Sequence, residues 1–174
     1  GGPLRRERTF IFGNVEQTRQ DRTGFRSIAA ANVDAIGDVL DSVGYPGPRP
    51  GTGAFPTGFD TLNAFVRADH RASPTHLVTG RYSFYDIESD NARNVGGLND
   101  VSRGTALSNR DQTGAVNSLA TWGRAVNDLR AQVTRSRLGA PTNDAVGPAV
   151  NIAGVASFGV ATVSPARRDL DVFE

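Results

Sequence analysis

The chain has 174 residues, a formal net charge of +1 and a mean hydropathy of −0.34. This length suits one domain, and the near-zero charge argues against a nucleic-acid-binding surface. No apolar run approaches the roughly 18 residues that a transmembrane helix needs, so a helical membrane protein is excluded. The absence of cysteine excludes a disulfide framework and a thiolate metal site.

The first residues predict a β-strand entered from an upstream segment. The chain begins without Met, and residues 1–8 lack the apolar core of a signal peptide. An apolar, aromatic stretch from Thr9 to Glu16 follows. We therefore expect the chain to be a piece of a longer protein, with any export signal before Gly1.

The helix prediction falls in the connection that follows this strand. Apolar residues recur at helical spacing from Val33 to Val43. Asn32 is the expected N-cap, and Gly44 and Pro46 are expected to end the helix. We expect one short helix inside a long loop.

Four later segments alternate apolar and polar residues with a period of two, at residues 61–69, 77–87, 113–122 and 128–136. This period is typical of β-strands, and each segment has about the 9–11 residues of a membrane-crossing strand. The residues predicted to face lipid or an interfacial girdle are Leu62, Val66, Val78, Tyr82, Phe84, Trp122, Leu129 and Val133. The polar residues predicted to face a lumen are Asn63, Arg67, Asp69, Thr79, Arg81, Asn117, Arg130 and Gln132.

Connections between the predicted strands alternate in length. Residues 71–75 and 123–127 form short turns, whereas the connections near residues 18–59, 89–110 and 139–166 are long. Short turns on one edge and long loops on the other are typical of outer-membrane barrels. A soluble β-sandwich would have more even spacing.

The last part of the chain contains an apolar connection and a final strand. The segment from Val150 to Val163 is expected to pack against a barrel rim or to fold inward, and Arg167 to Glu174 to begin a further strand. The whole chain, residues 1–174, is thus predicted to be one all-β, antiparallel transmembrane barrel fragment of about five to six strands.

The sequence offers no group of residues suited to catalysis. His70 and His76 flank a turn, but an imidazole pair without a third ligand binds metal poorly. Asp69 cannot orient His70 toward Ser73, because adjacent strand residues point to opposite faces. The glycine-rich stretches lack the Gly-Lys-Ser/Thr of a phosphate-binding loop. We therefore predict no enzymatic activity, no metal and no cofactor.

The segments in chain order resemble one family. The opening GGPLRRERTFIFGNVEQTRQ resembles the first barrel strand of TonB-dependent outer-membrane receptors of the Oar-like group, with Val15-Glu16-Gln17 in place of that group's Tyr-Glu-Gly-like end. Residues 65–70, 80–84, 127–130 and 151–159 resemble later segments of the same group. The resemblance implies a barrel of about twenty-two strands in the whole protein. It also implies a plug domain and TonB-contacting box before Gly1, and more barrel after Glu174.

The function implied by this resemblance is active uptake of an unidentified substrate across the bacterial outer membrane. The implied partners are outer-membrane lipid, the plug of the same full-length protein, the TonB complex and the imported ligand, without nucleic acid. For the polar stripe containing Arg81 and Arg130, two interpretations stay open: contact with a plug or ligand, or a hydrated lumen wall. The alternatives for the whole are a passive porin or adhesion barrel, and a secreted soluble β-rich binding module.

Overall fold

The computed structural model describes residues 1–162 and 166–174. The strands of its main sheet are β1 (Gly2–Arg5), β2 (Thr9–Arg26), β3 (Gly53–Ser73), β4 (His76–Arg93), β5 (Thr105–Trp122), β6 (Ala125–Ala140) and β9 (Ala166–Phe173). They lie side by side in this order, and every neighbouring pair is antiparallel. The sheet is open, with β1 and β9 at its edges. The all-β antiparallel prediction is confirmed, and barrel closure stays a prediction.

The predicted strand lengths are wrong. The five central strands span 16 to 21 residues, about twice the predicted length. Beyond the alternating segments both faces carry polar residues, so the period-two signal disappears while the register continues, as at Arg19–Asp60 and Asp60–Glu88. The first long connection therefore begins after Arg26 and not near Thr18.

The two short turns join strands at the same edge of the sheet. Residues 74–75 connect β3 to β4, and residues 123–124 connect β5 to β6. Gly123 adopts φ 59°, a left-handed conformation that glycine accepts without strain. The strand count exceeds the prediction because residues 2–5 turn back and pair with β2 as an additional strand, β1.

The predicted loop helix is present as α1 (Ala30–Ser42), but its predicted N-cap is wrong. Ala29 occupies the cap position without a side-chain hydrogen bond, and Asn32 lies inside the first turn, donating its backbone N–H to the Ala29 carbonyl at 2.9 Å. Gly44 follows the helix at φ 66° and donates its N–H to the Asp41 carbonyl, which is a Schellman ending. The described residues contain no helix with the length and apolar character needed to cross a bilayer.

One cluster of buried apolar residues lies in the long connections. Ile28, Ala156 and Phe158 form its centre, and apolar side chains of α1 pack against them. Ala156 and Phe158 belong to a small ribbon of β7 (Val150–Ile152) and β8 (Ala156–Phe158). The ribbon forms part of the apolar segment predicted from Val150 to Val163. Val163 lies outside the described residues. We call residues 27–52, 94–104 and 141–162 the loop unit.

Candidate functional site

The register of the sheet separates two faces of opposite character. Val66 lies opposite Tyr82, and Arg67 lies opposite Arg81. Directly opposite residues share a face and successive residues alternate, so these two pairs mark opposite faces. The apolar face carries all of the residues predicted to face lipid or a girdle: Leu62, Val66, Val78, Tyr82, Phe84, Trp122, Leu129 and Val133. The polar face carries all of those predicted to face a lumen: Asn63, Arg67, Asp69, Thr79, Arg81, Asn117, Arg130 and Gln132.

Most of the large apolar side chains on the apolar face are exposed. Leu129 is 65% exposed and Phe173 is 75% exposed, and Val116 and Val133 on the same face are exposed too. A sheet in a soluble domain buries such a face against another layer, and large contiguous apolar patches are uncommon on soluble monomers. This face therefore differs from the covered sheet face of a soluble domain.

Ion pairs border the apolar band on the side of the long loops. Arg110 contacts Asp86 at 2.8 Å, Arg135 contacts Asp171 at 3.0 Å, and Arg137 contacts Asp171 at 3.2 Å. These residues belong to the same face as the apolar band. On β6, for example, Arg135 and Arg137 lie two and four residues beyond Val133. The face thus changes from apolar to charged over a short distance.

Two arginine–aspartate pairs on the polar face neutralise their own charges locally. Asp69 accepts hydrogen bonds from the Arg67 guanidinium at 2.9 Å and from the Thr79 hydroxyl at 2.7 Å. Asp128 accepts one from the Arg130 guanidinium at 2.5 Å. Each pair lies two residues apart on one strand, so both partners stand on the same face.

A groove of about 550 Å³ lies on the polar face. The predicted lumen residues that line it are Arg67, Thr79, Arg81, Asn117, Arg130 and Gln132. Arg81 Nη2 donates to Gln132 Oε1 at 3.1 Å, which takes its side chain past the small Ala115 that lies between them in the register. Asn63 and Asp69 share the face but do not line the groove.

The two histidines have separate polar partners. His70 Nδ1 lies 2.9 Å from the Thr9 hydroxyl, and His76 Nε2 lies 2.9 Å from the Ser118 hydroxyl. Among the residues that the structure describes, no group of three or more His, Cys, Asp or Glu side chains could hold a metal ion. Each imidazole is thus held by one cross-strand hydrogen bond.

Asp100, which the sequence did not single out, joins separate parts of the loop unit. Its carboxylate accepts hydrogen bonds from Arg26 Nη1 at 2.9 Å, from the Gly51 backbone N–H at 2.9 Å, and from the Ser102 N–H and hydroxyl at 3.0 and 2.7 Å. Burial raises its pKa, but these hydrogen bonds outweigh burial, so the pKa of Asp100 is lowered. An Asp two residues before Ser at the start of a helical turn is a local signal for such a cap, whereas its distant partner Arg26 carries none.

Tyr45 makes a second connection within the loop unit. Its hydroxyl donates to Asp144 Oδ2 at 3.4 Å, and the Arg49 guanidinium lies 5.5 Å from the ring centroid. Burial and the nearby Asp144 carboxylate raise the pKa of Tyr45. The contact links the segment after α1 to the segment after β6.

Comparison of the chain with protein-family models, with curated proteins and with solved structures gave no match.

Proposed function

We propose that the sheet is part of the wall of an outer-membrane β-barrel. In this arrangement the apolar face contacts lipid, and the polar face lines the interior. The observation that carries the proposal is the exposed apolar band of Leu129, Val133 and Phe173, on the opposite side of the sheet from a face that carries charged residues. Lipid is the medium in which such a band needs no protein cover.

The open edges of the sheet fit the same proposal. Backbone groups in a bilayer must be paired, so only closed barrels cross it with strands. The edge strands β1 and β9 therefore pair with further strands of the complete barrel. The short turns then face the periplasm, and the loop unit stands on the extracellular side.

The transport part of the proposal rests on the resemblance of the opening segment to the first barrel strand of Oar-like TonB-dependent receptors. We propose that extracellular loops bind the unidentified substrate and that the TonB complex, acting through a plug, lets it pass. The chain itself supplies wall and loops and performs no chemistry. The gene sequence upstream of Gly1 tests this part: we expect a plug and a TonB box, whereas a barrel gene without them means a passive porin or an adhesion barrel.

Trp122 offers a direct test of lipid contact. It is the one tryptophan in the sequence, lies on the apolar face at the short-turn edge, and is 64% exposed. In detergent micelles its emission should shift to the blue, and brominated detergent should quench it. The opposite result would be a monomer whose Trp122 emission is already blue-shifted in buffer and is not quenched by brominated detergent. That result would indicate a soluble binding module.

A pair of arginine substitutions on β3 tests which face meets lipid. Val66→Arg should lower the free energy of unfolding in micelles by about 2–4 kcal/mol if it lies near the midplane. Asn63→Arg is the matched control, because Asn63 is exposed on the polar face beside Glu16. Thr79→Arg is less suitable, since the Thr79 hydroxyl donates to Asp69. Equal losses in both variants, measured by urea unfolding, would contradict the assigned faces.

A further inference from the structure

Two arginines face each other across β3 and β4 on the polar face. Arg67 and Arg81 are directly opposite in the register, and like charges in that position destabilise a sheet. Asp69 neutralises Arg67 at 2.9 Å. None of the ion pairs between described residues includes Arg81, whose guanidinium bonds the neutral Gln132 amide instead. Arg81 is thus a cation held in place without a carboxylate.

The surroundings of Arg81 leave room for a ligand. A guanidinium has five N–H donors in a planar fork. Among the described residues, the Arg81 guanidinium makes a single hydrogen bond, to Gln132 Oε1. The groove volume of about 550 Å³ is within the range of small-molecule sites. Phe65 adds an apolar wall to the groove.

A second charge at the rim limits where an anion can sit. Glu174 also lines the groove, and its carboxylate accepts from Gln132 Nε2 at 3.4 Å. The Gln132 amide therefore stands between the two charges, with its oxygen toward Arg81 and its nitrogen toward Glu174. An anion is favoured on the Arg81 side of this amide, above Ala115.

We propose that this groove binds a small carboxylate ligand, with Arg81 as the residue that holds the carboxylate and Phe65 as the apolar wall. A planar carboxylate matches the two parallel N–H groups of the guanidinium fork. Binding also places a negative charge beside Arg81, which none of the ion pairs between described residues provides. The inference deepens the proposed function, because it names a ligand class for the face assigned to the barrel interior.

Calorimetric titration with benzoate tests the proposal. The titration is done in buffer or in micelles, whichever gives the chain the circular dichroism spectrum of a β-sheet. Benzoate should bind with one-to-one stoichiometry, and benzyl alcohol, of similar shape but uncharged, should not. Arg81→Gln should weaken binding by about 10- to 100-fold, the range for hydrogen bonds to charged groups. Arg81→Lys keeps the charge but loses the fork, so its loss should be smaller.

Arg168→Gln is the matched control. Arg168 is exposed on the polar face of β9, outside the groove, and its substitution removes the same charge. Equal weakening by Arg81→Gln and Arg168→Gln, or equal binding of benzoate and benzyl alcohol, would overturn the proposal. A sheet that folds in buffer with Trp122 shielded would instead overturn the lipid-facing wall, while the benzoate titration would still decide the site.

Discussion

Asp100→Asn should open the loop unit and leave the strands of the sheet paired. Asp100 is buried, with 2% of its surface exposed. It accepts from Arg26, Gly51 and Ser102, which belong to three separate segments of the chain. The Ser102 hydroxyl in turn accepts the Gly159 N–H at 3.1 Å, which extends the connection to the last segment of the loop unit.

The size of the effect follows from the charge that is left behind. An asparagine has the shape of Asp100 but presents no net charge to Arg26. Its amide NH2 group is a donor and would face N–H groups that donate to the Asp100 carboxylate. Removing one partner of a buried ion pair costs about 3–5 kcal/mol, because the other charge stays buried and unpaired. The Arg26 side chain is 16% exposed, so we expect a loss at the lower end of this range. The small core around Ile28 and Phe158 offers little to offset that loss.

Hydrogen exchange read by mass spectrometry measures this locally. Peptides from residues 27–52 and 141–162 should lose most of their protection in Asp100→Asn, while peptides from β3 to β5 keep theirs. Asp90→Asn is the control, since Asp90 is an exposed carboxylate near the same loops. Similar exchange in the two variants would refute the role assigned to Asp100, and so would loss of protection throughout the sheet.

The lowered pKa of Asp100 gives the same experiment a pH axis. A carboxylate whose pKa is lower in the folded state stabilises that state fully above its unfolded pKa, about 3.9, and this contribution is lost as the pH falls through the lowered folded value. Protection of the loop unit should therefore fall on acidification below about pH 4. In Asp100→Asn this acid transition should be absent.

The remaining predictions concern Tyr45 and Gly24. The raised pKa of Tyr45 means that its neutral form is favoured in the fold, so its contribution is full below its ordinary pKa near 10 and lost as the pH rises through the raised value. Loop-unit protection should then fall in alkali, and Tyr45→Phe should remove that transition. Gly24 lies opposite Phe55, whose buried ring occupies the space above it; Gly24→Val should cost about 1–3 kcal/mol in urea unfolding. Gly114→Val, at an open position on the apolar face, should cost much less, and equal losses would contradict this packing.

The two faces were predictable because apolar and polar side chains alternate clearly in the segments that form them. Residues 62–69 alternate between apolar and polar side chains except at Phe65, and the register then aligns Val66 with Tyr82 and Arg67 with Arg81. A period-two pattern fixes side-chain direction without any knowledge of neighbours. That is why the residues predicted to face lipid share one face of the sheet, and those predicted to face a lumen share the other.

The strand ends and the loop unit were not predictable in the same way. Between Gly53 and Asp60 the β3 sequence contains three glycines or prolines and no alternation, and only its pairing with β2 makes it a strand. The contact between Arg26 and Asp100 joins positions 74 residues apart. Such contacts depend on how the loops pack, which neither local propensity nor charge pattern specifies.

The apolar band ends at different rows of the sheet on different strands. On β6 the last apolar residue toward the long loops is Val133, which the register aligns with Val66 on β3, yet the band on β3 continues four residues farther, to Leu62. Arg110 and Arg137 occupy the same row as Leu62 on β5 and β6.

That offset is a step between strands and not a straight edge. On β2 the same face becomes polar after Val15, which pairs with Ala64, and Phe173 on β9 shares the row of Val133. The limit of the band is therefore set strand by strand, at the residue where charged or polar side chains begin.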